Sequence, residues 1–395
     1  MGFVVAITAC GGRSIRTLDE EGVSGAAGVP SGGSTGASGT GVGGGGGTSG
    51  AGTSGGSAGA AAGGSSGALC HGFEEDLQSS PLHCGRCDND CRMGGCNAGR
   101  CSPAPTVLTE YPDRMPATRG VDIALDETRV YFLDADAGRI ASVSKDGGDE
   151  RVIIGDIDEP LSMTVDGDFV YFAMDGSSGQ GDARILRVSK VGGPATPLAG
   201  GYTRVSDLTV VGGDLYWLTA SDIMRLAGGT GVHSAVATPV SGSDGLAVDE
   251  TLVYWFTQDV GGDYEGVFAA DRFGRGEKGL LATFENPSSI AVSGPEIFAT
   301  SFSPGVVAMV LPLALTLADD KRYPADLAVD ETQVYFTVES YDAILQKVPR
   351  SGGVVTTIAS GHWSGDNEWH VAFDMAIDET RVFYSMPNGI LSVVK

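Results

Sequence analysis

The sequence predicts an all-β protein whose bulk, residues 103–395, is a seven-bladed β-propeller. Three observations carry this. One short pattern recurs seven times. Its spacing averages about 42 residues, the length of a four-stranded blade. The last copy stops one strand short, while a spare strand-like segment stands before the first.

The repeat is an apolar run, an Asp, a turn and an aromatic strand. It reads IALDETRVYF (123–132), MTVDGDFVYF (163–172), LTVVGGDLYW (208–217) and LAVDETLVYW (246–255). It continues as IAVSGPEIFA (290–299), LAVDETQVYF (327–336) and MAIDETRVFY (375–384). The first aromatics fall at Tyr131, Tyr171, Tyr216, Tyr254, Phe298, Tyr335 and Phe383. A third strand follows, as at 139–144, 185–188 and 344–348. Glycine pairs such as Gly147-Gly148, Gly192-Gly193 and Gly352-Gly353 then supply the positive φ of a hairpin turn. A fourth, outer strand completes the unit, as at 151–154 and 356–359. The inner strands are apolar on both faces because blades pack face to face around an axis. The final repeat ends on its third strand at 390–395, so residues 106–111 are expected to return as its outer strand and close the ring. A six-bladed ring with the fifth repeat degenerate is the alternative.

Three segments precede the propeller. Residues 1–10 read as a truncated signal peptide. A short apolar run leads to Ile7-Thr8-Ala9-Cys10, which resembles the lipobox of bacterial lipoproteins. The resemblance implies lipidation of Cys10 and a translation start upstream, because a basic n-region is missing. Ala6 argues against N-myristoylation. Residues 11–69 form a tether. From Gly22 onward it is uncharged and almost wholly Gly, Ser, Ala and Thr, so it buries no core and spans roughly 35–40 Å as a coil. Nucleophile-elbow and phosphate-loop patterns inside it carry no weight, since neither lies between a strand and a helix.

Residues 70–102 form a cysteine module holding Cys70, Cys84, Cys87, Cys91, Cys96 and Cys101. So few large apolar side chains need cross-links, and three disulfides are expected, with 15 connectivities open. Zinc is the rival, on the Cys84-x-x-Cys87 spacing. The string HCGRCDNDCRMGGCNAGRC resembles small Cys-rich modules of bacterial surface lipoproteins. Cys10 is then the odd cysteine. In the propeller, Val253-Tyr254-Trp255-Phe256-Thr257 and Val130-Tyr131-Phe132-Leu133-Asp134 resemble the Tyr-Trp-Thr-Asp repeats of receptor propellers and the NHL-type, TolB-like propellers. That resemblance implies the fold and says little of function, because these propellers mostly bind proteins or glycans and few are enzymes.

The net charge of −25 disfavours nucleic acid and anionic membrane surfaces as partners. No apolar run reaches the roughly 20 residues of a membrane helix, so contact with a membrane is expected only through the lipid anchor. The expectation is a monomer of the cell envelope, held to the outer membrane or otherwise secreted.

Strand order places the four-to-one and two-to-three connections at one end of the ring. Their longest members, 174–182, 257–265 and 361–373, make this the variable end, where binding usually resides. Asp122, Ser162, Asp207, Gly245, Ser289, Asp326 and Asp374 occupy equivalent positions where the innermost strands begin, ringing the channel mouth there. Asp122, Asp207, Asp326 and Asp374 are candidate ligands for Ca2+ or sugar hydroxyls, since hard cations take several oxygens. Their structural alternative is to accept hydrogen bonds from backbone N–H groups of the next blade. Trp363, Trp369 and His370 share a polar loop at this end, where paired Trp could stack on a sugar or anchor a partner side chain. The repeated Asp126, Asp166, Asp249, Asp330 and Asp378 lie at the other end and read as turn residues bonding their own backbone. His71, His83 and His233 are lone histidines, and no catalytic dyad is evident.

The sequence thus favours a non-enzymatic envelope protein that binds a protein or glycan through the variable face, with no cofactor beyond possible Ca2+. A metal-dependent lyase or lactonase using the Asp ring is the alternative.

Overall fold

The computed structural model describes residues 68–70, 73–111, 121–174, 182–228, 232–239, 243–257, 265–276, 279–319, 323–338, 345–360, 374–386 and 389–395. Among them there is no helix, and so none able to cross a membrane. Cys10 and residues 11–67 of the tether lie outside these residues; Ala68 and Leu69, read as the end of the tether, instead belong to the strand Ala68–Cys70, which pairs with Phe73–Glu75.

Seven four-stranded antiparallel sheets follow one another along the chain. Blade one runs Val121–Leu125, Arg129–Asp134, Arg139–Ser144 and Arg151–Ile154 from the axis outward. Blades two to six occupy 160–202, 205–237, 243–283, 287–318 and 324–359 in the same order. The innermost strands adjoin in sequence, and the last lies beside the first. The ring is therefore closed and seven-bladed, and the fifth repeat is a full blade.

Blade seven is composite. Met375–Ile377, Arg381–Met386 and Gly389–Val394 supply three strands, and Thr106–Glu110 supplies the fourth. Thr109 pairs with Ile390 and Val107 with Leu391. Gly389 permits this approach, because a Cβ there would stand 2.3 Å from the Thr109 carbonyl oxygen. The closure strand also buries Leu108 against Phe383 of blade seven and against Val130 and Phe132 of blade one.

The core lies between the blades. Each apolar cluster of the propeller draws on adjoining blades, and the repeat aromatics fill it. Trp217, Trp255, Phe336 and Tyr384 are completely buried. Apolar area on both faces of the inner strands is what binds blade to blade.

The cysteine module is held by Cys70–Cys87, Cys84–Cys96 and Cys91–Cys101. Cys84 and Cys87, whose spacing suits zinc, thus go to different partners. The module docks on the outer edge of blade six. Gly94 bridges Ala359, and Ser360 N–H donates to the Met93 carbonyl at 2.8 Å. The Asn97 side-chain amide mimics a strand. Its Nδ2 donates to the Thr357 carbonyl at 2.7 Å, and its Oδ1 accepts from Thr357 N–H at 3.1 Å. Gly95 must be glycine, since a Cβ would lie 2.1 Å from the Thr357 oxygen. An exposed strand edge invites pairing with other chains, and the module covers this one.

Asn97→Ala removes both bonds and leaves the Thr357 amide facing a void. A loss of about 1–3 kcal/mol is expected. Hydrogen exchange should show faster exchange confined to Thr356–Ala359, with the other blades unchanged.

Candidate functional site

The channel-mouth ring is positioned by irregularity. In blades two to six the innermost strand carries a register shift at or beside its ring residue, as between Pro160 and Ser162 or Pro324 and Leu327. A bulge bends the strand and re-aims the side chain there. At two ring positions the backbone is left-handed, Asp207 at φ +53° and Gly245 at φ +60°.

The ring side chains then reach the next blade. Asp326 Oδ2 accepts from Met375 N–H at 2.9 Å, and Asp374 Oδ2 from Ile123 N–H at 2.6 Å. Asp122 Oδ2 accepts from Met163 N–H at 2.6 Å and from the Ser162 hydroxyl at 3.0 Å. Ser162 Oγ accepts from Leu208 N–H at 3.2 Å. Ser289 Oγ donates to Asp326 Oδ1 at 3.1 Å. The chain of bonds runs from blade five through six, seven, one and two to three. This is the arrangement of the structural alternative, side chain to neighbouring backbone. Asp207 is fully buried in the same ring.

Asp374 lies between Asp122 and Asp326 and hydrogen-bonds both carboxyl groups. Carboxyl groups in such contact must share protons. Burial pushes Asp374 well above the usual carboxylate range, and its two acidic neighbours push it further. Burial also raises Asp122, and it lifts Asp326 to about 7 against the bonds that favour its charge. The set thus holds its protons to higher pH than solvated carboxyls would. A cation would have to displace them and compete with the N–H donors. Among the described residues, no three carboxylates converge closely enough to hold one ion. Only the sulfurs of Cys84, Cys91 and Cys101 do, and each is in a disulfide.

The variable-end loops of interest, with Trp363, Trp369 and His370, lie outside the described residues. His233 sits on an outer strand beside Tyr202 and Trp217.

The opposite end holds a device that the sequence reading missed. Asp126, Asp249, Asp330 and Asp378 do bond their own turns, each Oδ1 accepting the N–H groups two and three residues on. Asp166 departs from this. It is exposed and makes no such bond; its turn has the same length, but Gly167 takes a left-handed φ of +50° and the ladder pair Asp166–Phe169 closes it. The second carboxylate oxygen of three of these residues also pins the next blade. Lys190, Lys395 and Lys145 reach Asp126, Asp330 and Asp378 at 3.1, 2.8 and 3.0 Å. Tyr131 and Tyr335 hydroxyls donate to the same Asp126 and Asp330 oxygens. Each lysine lies over the repeat aromatic of the blade it pins, Tyr131, Tyr335 or Phe383. In blade five, Ser293 replaces the Asp, and Arg350 of blade six pairs with Glu296 instead. Burial alone would raise Asp126, yet the turn N–H groups, the Tyr131 hydroxyl and Lys190 hold it well below the usual range. The missed signal was a basic residue recurring just after the third strand.

No family model and no curated relative matches the chain. Solved structures do. A catalytically inactive virginiamycin B lyase from Staphylococcus aureus, solved with quinupristin, superimposes at TM-score 0.52 and 13% identity. It covers 73% of this chain and 98% of its own. A streptogramin B lyase gives 0.51 and 14%, covering 72% and 96%. A computationally designed protein, Ika8, gives 0.51 and 12%, covering 73% and 99%. At these identities the likeness is one of fold.

Two outcomes follow for stability. Carboxyls with raised pKa bind more protons folded than unfolded, so stability falls as pH rises through the window between the two values. For Asp326 that window runs from the ordinary carboxyl value of 3.8 to about 7. Asp374→Asn keeps a hydrogen-bond donor without the charge, and thermal melts from pH 4 to 8 should show a flatter decline than wild type. Lys190→Met keeps the stem over Tyr131 but strands the Asp126 carboxylate. Urea denaturation at pH 7 should show a loss of about 1–2 kcal/mol, shrinking below pH 3 as Asp126 protonates.

Proposed function

We propose that this chain is a non-enzymatic binding protein of the bacterial cell envelope, held by lipid on Cys10 and presenting the variable propeller face on its Gly/Ser-rich tether. The observation that carries the reading is the commitment of the ring carboxylates. Asp122, Asp326 and Asp374 accept backbone N–H groups of adjoining blades and share protons. That leaves the variable loops as the part of this end free to specify a ligand. The three disulfides fit an extracytoplasmic compartment. The fold neighbours named above include lyases and a designed protein, so fold alone does not assign an activity.

The partner is a protein or glycan, met through Trp363 and Trp369 with His370 beside them. A Trp face offers large apolar area to a sugar ring or an apolar side chain. Cross-linked pull-down from envelope fractions, with a glycan array alongside, tests this. The wild-type protein should capture a ligand that Trp363→Ala/Trp369→Ala loses by tenfold or more. Capture that survives the double substitution counts against it. A melting temperature that rises with Ca2+ and no longer does so in Asp207→Ala would instead favour the metal-dependent alternative.

A further inference from the structure

Among the described residues, the pins at the turn end leave one basic side chain without an acidic partner on the preceding blade. Arg272 of blade four stands where Lys145, Lys190, Arg350 and Lys395 stand in their blades, and its N–H likewise caps the preceding turn at Thr251. The blade it should pin is blade three. There the Asp position is Val211, followed by Gly212 and Gly213. Asp214 corresponds to the Glu296 that rescues the pin in blade five. It is one methylene shorter, and Arg225 of its own blade takes it at 2.6 and 2.8 Å. Its other oxygen accepts Gly228 N–H.

Two buried donors are left over. Arg272 is 7% exposed, and its Nε–H has no hydrogen-bond partner. Tyr216 is completely buried, and its hydroxyl has none either. Arg225 lies close enough to that hydroxyl to act on it electrostatically, but its guanidinium is turned to Asp214 and makes no well-formed hydrogen bond to Tyr216. In blades one and six these same two groups, a Tyr hydroxyl and a cation, converge on one carboxylate oxygen. A buried donor without a partner is destabilising, because it has lost its water and gained nothing in exchange. Nearby charge favours an anion. Arg225, Arg272 and Arg275 all stack on Phe273, at 4.8, 4.7 and 4.6 Å from its centroid. The surrounding carboxylates are engaged, Asp214 with Arg225, Asp271 with Arg275, and Asp249 with its turn and Tyr254. Access is over the turn, where a Cβ on Gly213 would meet nothing within 4 Å.

We infer that the blade three–four junction is a binding site for the carboxylate group of a small organic acid, which takes the place of the missing aspartate between Tyr216 Oη and Arg272 Nε. The ligand enters over Gly212-Gly213 and displaces the half-buried Val211 side chain. It accepts one hydrogen bond from the Tyr216 hydroxyl and one from the Arg272 guanidinium. Occupancy locks blade four to blade three as Lys190 locks blade two to blade one. The site lies at the turn end and is independent of any ligand at the variable face.

Acetate serves as the probe, against sodium chloride at equal ionic strength. In 100 mM acetate the melting temperature should rise by about 2 °C over chloride, and the Arg272 Nε–H resonance should shift in a saturable way. Val211→Asp supplies the carboxylate from within. It should melt higher than wild type without acetate and gain nothing from it. Arg272→Met should also lose the acetate response. Equal response to acetate and chloride in wild type overturns the proposal. So does an acetate increment that persists in either variant, which also leaves a readout should one of them fail to fold.

Discussion

Everything in this propeller depends on one antiparallel pairing, that of Thr106–Glu110 with Gly389–Val394. A ring of sheets is stable only when each blade has a neighbour on both faces. Without closure, blades one and seven would each expose an apolar face. Here the pairing joins segments from the two sides of the propeller sequence, and the buried Leu108 joins blade seven to blade one through the core as well. The pairing thereby offsets part of the entropy lost in ordering the first and last blades.

Between blades, hydrophobic area is non-directional and fixes no angle. Two polar systems do. At the channel mouth, short buried side chains accept the first N–H groups of the next innermost strand. At the turn end, a lysine or arginine crosses to an acidic group and an aromatic ring. One system satisfies backbone donors that bulged strands leave open. The other joins charges that are half-buried and still reach water. Together they hold blades five, six, seven, one and two to one another at two heights.

The strand grammar, the blade count and the closure were legible because repetition makes turns and aromatic positions redundant. A single atypical unit such as 290–299 does not obscure the rest. The burial of the ring carboxylates was legible as an alternative, because an Asp where an inner strand begins lies close to unpaired backbone. The proton sharing of Asp122, Asp326 and Asp374 was not, since it depends on which blades happen to be adjacent across the closure. The lysine pins were missed for a related reason. Lys190 is 64 residues from Asp126, and Lys145 is 233 from Asp378. Nor does the pattern of cysteines reveal that Asn97 will imitate a strand against Thr357, 260 residues away. That contact depends on tertiary fit, which no local rule encodes.

The docking of the cysteine module also settles how mechanical load travels. A pull on the chain upstream of Cys70 enters a disulfide, Cys70–Cys87, and spreads through a covalent knot. It then meets the module's contacts along the edge of blade six, where Asn97, Gly94 and Met93 hold the strand. Only after these give way does tension reach Thr106. The strand that closes the ring is thereby shielded, and blade six acts as its strain relief.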